Sequence, residues 1–139
     1  MTDLIKQLQI DEGSRKNTHG NHIPYKDTVG KTTLGYGRNI EDIGISEDEA
    51  MYLLRNDIAR CRYECEIHIP IFKALNEVRQ NVLINMCFMG IGKVLEFKKM
   101  LTALEAGDFK QASKEMLDSL WAKQVKDRAY RLARKMEHG

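Results

Sequence analysis

The spacing of apolar residues changes near residue 45, and this change predicts two kinds of structure along the chain. Before it, a short amphipathic pattern predicts one helix that ends near Gly13. The stretch Ser14–His22 is polar and has no apolar period, so it predicts a loop. The stretch Ile23–Gly37 is rich in β-forming residues and glycine, which predicts a small hairpin. After residue 45, helical spacing continues to the end of the chain.

The helical part contains clear start signals and one strongly apolar segment. Ser46 and Glu49 have the spacing of a capping box at the start of a long helix. Val78–Met89 is apolar on nearly all sides in its second half, which predicts a helix buried in the middle of a domain. A final basic helix places Ala129 and Met136 on its apolar face.

Length and composition favour a single domain over residues 1–139. Hydrophobic residues make up 42% and charged residues 30% of the chain, an ordinary mixture that excludes an intrinsically disordered class. The expected fold class is α+β and mainly helical, with a hairpin lobe at about residues 14–44. About residues 1–13 and 45–139 then form the helical lobe.

Charge is unevenly distributed, although the formal net charge is only +2. Trp121–Gly139 contains six basic and two acidic residues, which can favour anionic partners such as nucleic acid or a cell-envelope polymer. A solvated helix face explains the same pattern without a partner. The modest net charge and the lack of a recognition motif count against nucleic acid.

The cysteines and histidines do not predict a metal or cofactor site. Cys61, Cys65 and Cys87 are an odd number without repeated spacing, so we expect reduced core residues and no disulfide framework. His19 and His22 form an HxxH pattern in the loop, but a zinc site needs further ligands of suitable spacing. We therefore expect no metal and no cofactor.

Three polar residues near the hairpin have the chemistry that cleavage of a glycosidic bond requires. Glu12 ends the first helix, where the helix dipole disfavours an anion, and Asp27 and Thr33 lie in the hairpin. Cleavage needs one protonated carboxyl to donate to the leaving oxygen and a second group to orient water. The spacing alone is weak evidence, because acids near turns commonly act as caps or are solvated.

Two motifs give a more specific indication. IDEG at Ile10–Gly13, followed by YKDTVGKTTLGYGRN, resembles the phage-type lysozymes, the muramidase endolysins of glycoside hydrolase family 24. That family has a Glu before Gly and then D-T-x-G-x-x-T-x-G-x-G, and this chain contains each element. The resemblance continues at ISEDEA, VRQNVLINMCF and LWAKQVKDRAYRL, so it covers nearly the whole chain. It implies a lysozyme-like fold with a small N-terminal β-hairpin lobe and a helical C-terminal lobe.

The resemblance also implies roles for the matching residues. Glu12 is the expected catalytic acid, Asp27 the second carboxylate and Thr33 the hydroxyl that helps to position water. Arg128 matches a family arginine that lies close to the catalytic glutamate. Asn85 matches a position near the substrate groove, and a buried amide satisfied within the core is an equal alternative.

Two aromatic residues have a structural and a functional interpretation. Tyr36 is a candidate for a contact at the groove rim, but strand packing explains it as well. Trp121 is expected in the core rather than as a platform for a sugar.

The chain departs from the family pattern in three places. Fourteen residues separate Glu12 from Asp27, so the crossover loop is longer than in well-known members and is expected to alter the cleft rim. Only seven residues lie between Gly37 and Ile45, which predicts a minimal β-lobe. Arg38 stands where some relatives have a histidine.

The activity implied by the resemblance is hydrolysis of the β-1,4 bond between N-acetylmuramic acid and N-acetylglucosamine, with inversion and cell lysis. The expected partner is the glycan strand of peptidoglycan, and we expect a monomer without stable membrane insertion. The N-terminal residues contain no apolar run long enough for a signal peptide. We therefore expect synthesis in the host cytoplasm and action on the cell wall in the periplasm after release through holin pores.

Two other functions remain compatible with the sequence. A lytic transglycosylase cleaves the same bond with one glutamate and the 6-hydroxyl of the muramic acid in place of water, so it gives Asp27 and Thr33 no catalytic role. A non-catalytic helical protein that binds murein or nucleic acid is the alternative from a different class.

Overall fold

The chain divides into two units, the first ending at Tyr52 and the second running from Leu53 to Gly139. The computed structural model describes residues 2–139, so the first residue of the predicted domain lies outside the described residues. The described residues are mainly helical with one small antiparallel sheet, which confirms the predicted α+β class. The single-domain boundaries stay a prediction.

The first unit contains one helix, a three-stranded sheet and the start of a long helix. Its elements are α1 (Thr2–Glu12), β1 (Tyr25–Lys26), β2 (Thr32–Leu34), β3 (Arg38–Asn39) and the first turns of α2 (Glu47–His68). The strands are antiparallel in the order β1-β2-β3, and Thr33 pairs with Tyr25 on one side and with Asn39 on the other. The hairpin prediction is therefore confirmed, and β3 adds a strand that is too short to give an alternating pattern.

Turn hydrogen bonds, rather than a core, hold the first unit together. Of residues 3–52, only Thr33 is buried. The predicted loop is a hydrogen-bonded turn, because the Asn17 side-chain oxygen accepts from the backbone N–H groups of His19 at 2.9 Å and Asn21 at 3.0 Å. A β-bridge between Lys16 and His22 closes this turn.

The second unit consists of helices. After α2 come a 3-10 turn (Phe72–Ala74), α3 (Glu77–Cys87), α4 (Ile91–Leu95), α5 (Lys98–Glu105), α6 (Phe109–Leu117), α7 (Leu120–Val125) and α8 (Asp127–His138). Helix α8 packs against α3, α6 and α7, and α5 packs against α6. The predicted buried segment is confirmed in α3, where Val82, Leu83 and Met86 are fully buried.

The apolar core of the second unit has the composition that the helical spacing predicts. The apolar face of α8 is buried at Ala129, Leu132, Ala133 and Met136. Trp121 is also buried, and its ring contacts Phe97 edge to face with centroids 5.9 Å apart, so its predicted place in the core is confirmed.

The predicted capping box at the start of α2 is confirmed in both directions. The Glu49 backbone N–H donates to the Ser46 hydroxyl oxygen at 3.1 Å, and the Ser46 backbone N–H donates to the Glu49 carboxylate at 2.9 Å. Two of the groups that a helix start leaves unpaired are thereby satisfied.

Candidate active site

The Glu12 carboxylate lies against a glycine of the hairpin. Glu12 is the last residue of α1, and Gly13 follows it with a φ of 66°. A Cβ atom added at Gly37 would lie 2.8 Å from Glu12 Oε2 and 3.0 Å from Glu12 Cδ. Gly37 also has a φ of 89°, which side chains other than glycine rarely adopt. Position 37 therefore favours glycine for its backbone conformation, and a side chain there would displace the Glu12 carboxylate.

The Asp27 carboxylate is fixed through one of its two oxygens. Asp27 follows β1, and its Oδ1 accepts hydrogen bonds from the backbone N–H groups of Val29 at 3.0 Å and Lys31 at 2.8 Å. Within residues 2–139, Oδ2 has no hydrogen-bond partner. The turn therefore sets the orientation of the carboxylate and leaves Oδ2 able to accept a proton.

Thr33 is tied to the same turn through the backbone of Lys31. Its side chain is buried, with a relative exposure of 3%, and its hydroxyl donates to the Lys31 carbonyl at 2.9 Å. The same carbonyl accepts from the Asp27 backbone N–H at 3.0 Å. Since the hydroxyl proton of Thr33 is already donated, its oxygen can act as an acceptor towards a water molecule.

Tyr36 is half-exposed beside the longer loop. Its relative exposure is 44%, and its ring meets His22 edge to face with centroids 4.9 Å apart. Among residues 2–139, His22 Nδ1 is buried without a hydrogen-bond partner. His22 of the loop thus packs against Tyr36, which immediately precedes Gly37. No local sequence pattern predicts this contact.

Arg38 has a partner within the first unit. Its guanidinium donates two hydrogen bonds of 2.8 Å to the carboxylate of Glu49 and one of 3.2 Å to the Gly44 carbonyl. The hydrogen bonds from the Arg38 guanidinium, together with the one from the Ser46 backbone N–H, lower the pKa of Glu49 to about 2. Arg38 therefore connects β3 to the start of α2.

The second unit brings Asn85 and Arg128 together. Arg128 donates to Asn85 Oδ1 from Nε at 2.9 Å and from Nη2 at 2.6 Å. Both residues are exposed, so the alternative of a buried amide at Asn85 is wrong. They line a groove of about 410 Å³ with Phe88 and Ile84. The expected proximity of Arg128 to Glu12 joins residues of the two units and stays a prediction.

Residues 2–139 contain no cluster of three or more His, Cys, Asp or Glu side chains arranged to hold a metal ion. His22 of the HxxH pattern instead contacts Tyr36. None of the helices in this part of the chain is long and apolar enough to cross a membrane.

Comparison with known proteins gives one family match. A family model described as phage lysozyme matches residues 16–137. Glu12 lies before that range. The other candidate site residues lie within it: Asp27, Thr33, Tyr36, Asn85 and Arg128.

Three similar proteins extend this match. The chain is 34% identical to the pre-baseplate central spike protein Gp5 of Enterobacteria phage T4 over 93% of this chain and 26% of that protein. It thus spans about a quarter of the length of that relative. Two proteins of Dictyostelium discoideum, probable T4-type lysozymes 1 and 2, are 30% and 26% identical over all of this chain and 96% of each relative. These two matches include Glu12.

Proposed function

This chain belongs to the phage lysozyme family, whose members are glycosidases that hydrolyse peptidoglycan, and we propose that it is a muramidase. The bond cleaved is the β-1,4 linkage between N-acetylmuramic acid and N-acetylglucosamine. The observation that carries the proposal is the arrangement around the hairpin, where Glu12 lies against Gly37 while the Lys31 backbone fixes both Asp27 and Thr33.

The proposed acid is Glu12, which protonates the leaving glycosidic oxygen. The proposed base is Asp27, whose Oδ2 takes a proton from water while the Thr33 oxygen accepts the other water hydrogen. Water held on the face opposite the leaving group gives inversion at the anomeric carbon, which requires the two carboxyl groups to be about 6.5–9.5 Å apart. Tyr36, Asn85 and Arg128 are proposed to contact substrate or to support the site.

Replacement of the proposed acid tests the function directly. Glu12→Gln removes the transferable proton with little change of shape and should reduce the release of muropeptides at least about 100-fold. Asp11→Asn is the matched control, because it removes the neighbouring carboxyl at the same end of α1. Thermal unfolding should be similar in both variants. Substantial lysis of outer-membrane-permeabilised cells by Glu12→Gln would overturn the assignment.

Replacement of the second carboxylate tests the inverting mechanism. In Asp27→Asn the side-chain oxygen can still accept from Val29 and Lys31, so the turn is kept and only the base is lost. Hydrolysis should fall about 100- to 10,000-fold. The product of the wild-type protein should show the inverted anomer by NMR. A retained anomer would contradict inversion, and a muramic product lighter by one water would identify a transglycosylase.

The route to the wall is a separate part of the proposal, supported by the resemblance to phage endolysins. Passage through holin pores predicts that cells expressing this chain lyse when a holin is co-expressed. Lysis at the same rate without a holin would contradict this route.

A further inference from the structure

The turn that lies against the Glu12 carboxylate contains one residue with a side chain. Residues 35–37 connect β2 to β3 and read Gly-Tyr-Gly. Both glycines have a positive φ, 67° at Gly35 and 89° at Gly37. Glycine has more backbone freedom to lose than any other residue, so a turn with two glycines gains little rigidity from its own backbone. The Tyr36 side chain is therefore the part of this turn that can fix it to the rest of the first unit.

The Tyr36 ring contacts a residue of the longer loop. His22 meets it edge to face with ring centroids 4.9 Å apart. The Nδ1 atom of His22 is buried and, within residues 2–139, has no hydrogen-bond partner. The imidazole therefore contributes the packing of its ring at this place, and not a hydrogen bond through Nδ1.

Backbone pairing holds His22 in place. Residues 15–23 form a short hairpin, which we call the 15–23 arm. The Ile23 backbone N–H donates to the Arg15 carbonyl at 2.9 Å, and Lys16 forms a β-bridge with His22. His22 thus lies in the paired base of the arm, so its ring is a fixed contact surface for the turn.

We propose that His22 is a positioning residue that acts on Glu12 through the turn at residues 35–37. Its ring anchors Tyr36, and Tyr36 holds Gly37 in contact with the Glu12 carboxylate. The approach is close, because a Cβ atom added at Gly37 would lie 2.8 Å from Glu12 Oε2. A shift of the turn therefore moves a surface that the proposed acid touches, and small displacements of a catalytic group are costly in rate. The inference rests on the proposed function for the role of Glu12.

Steady-state turnover of soluble glycan oligomers tests this role. His22→Ala removes the ring, and we expect kcat to fall about tenfold while KM changes less than about twofold, because β2 and β3 still hold the ends of the turn. His22→Phe keeps a ring without the nitrogens, so kcat should stay within about twofold of the wild type. His19→Ala is the matched control, since it changes an exposed histidine of the same arm and should alter kcat less than about twofold.

Three outcomes of these assays would contradict the proposal. The first is an unchanged kcat in His22→Ala. The second is an equal loss in His22→Phe, which would assign a chemical role to the imidazole nitrogens. The third is a rise in KM at constant kcat, which would make the arm a contact for substrate and not a support for the acid.

A double-mutant cycle tests whether His22 acts through Tyr36. In a Tyr36→Leu background the contact between the two rings is already lost, so His22→Ala should lower kcat by less than about a further twofold. A full additional loss of about tenfold would show that the two residues act independently and would overturn the proposed path.

Backbone dynamics separate this proposal from the proposed function, because ¹⁵N relaxation at Gly37 requires no turnover. In His22→Ala the order parameter of Gly37 should fall from about 0.85, the value of a rigid backbone, towards about 0.6. His22→Phe and His19→Ala should keep the wild-type value. If the chain shows no turnover at all, the muramidase proposal fails, and an unchanged order parameter in His22→Ala would still overturn the anchoring of the turn.

Discussion

The two units of the chain are stabilised in different ways. In the first unit only Thr33 is buried among residues 3–52, and the candidate catalytic groups are fixed by backbone hydrogen bonds of a turn. In the second unit the described buried apolar residues form one cluster. We therefore expect substitutions in the first unit to change the catalytic rate and substitutions in the core of the second unit to change the free energy of unfolding. One substitution in each unit can test this difference.

The largest expected loss of stability comes from the core of the second unit. Leu83 is fully buried in α3, so Leu83→Ala should lower the free energy of unfolding by about 3–4 kcal/mol through lost burial and a cavity. Urea unfolding measures this change. Leu120→Ala is the matched control, because Leu120 is 70% exposed and should cost less than about 0.5 kcal/mol. Similar losses for the two variants would contradict the assigned core.

The next effect is a loss of catalytic rate that follows from a substitution in the first unit. Gly37→Ala places a methyl group where it would lie 2.8 Å from Glu12 Oε2, so the acid must move. Misplacement of a catalytic group by about 1 Å can cost about 100-fold in rate. We expect a loss of kcat of that order, measured on peptidoglycan fragments.

Gly20→Ala is the control for backbone strain. Gly20 has a φ of 82° and nothing within 4 Å of an added Cβ, so the substitution has a similar conformational cost without touching Glu12. Its kcat should be close to that of the wild type. Equal kcat values for the two variants would show that the Gly37 contact does not position the acid.

These two units also differ in what their sequence predicts. Helical spacing is repeated over many residues, so the burial of Met136 in α8 and of Leu83 in α3 follows from it. The first unit depends on contacts between single residues far apart in the chain, such as Glu12 with Gly37 and His22 with Tyr36. Such contacts leave no periodic signal.

The catalytic candidates illustrate the same limit. A family motif identifies Asp27 and Thr33, but it does not reveal that the Lys31 backbone links them, because any side chain at position 31 can supply that backbone. Two-residue strands such as β3 are likewise too short for alternation to appear.

A smaller effect tests whether polar contacts also stabilise the second unit. Arg79 donates from Nε to the Met136 carbonyl at 2.7 Å and from Nη2 to the Glu137 carbonyl at 2.9 Å, and it stacks on Phe109. Arg79→Met should therefore lower the free energy of unfolding by about 1–2 kcal/mol, measured by urea unfolding. Arg55→Met changes an exposed arginine of α2 and should have little effect. A similar free energy of unfolding for both variants would mean that the apolar core, without the Arg79 contacts, accounts for the stability of the second unit.

The last effect is a pH dependence that comes from the thiols of the second unit and is confined to alkaline solution. Burial raises the pKa of Cys65 to about 11, and burial together with contact to Cys61 raises the pKa of Cys87 to about 12. Thiols of the unfolded chain have a pKa of about 8.5. Above that pH the unfolded chain loses protons that the folded chain keeps, so the thiol contribution to stability is complete below about pH 8.5 and declines towards pH 11.

Urea midpoints between pH 8 and 10.5 measure this decline. Cys65→Ala/Cys87→Ala should show a shallower decrease with pH than the wild type, because lysine and tyrosine titrations are common to both proteins. Parallel decreases would mean that these thiols are not desolvated in the folded chain. A shallower decrease would instead locate the alkaline sensitivity in the core of the second unit. No cysteine lies in the first unit, so its site has no corresponding thiol titration.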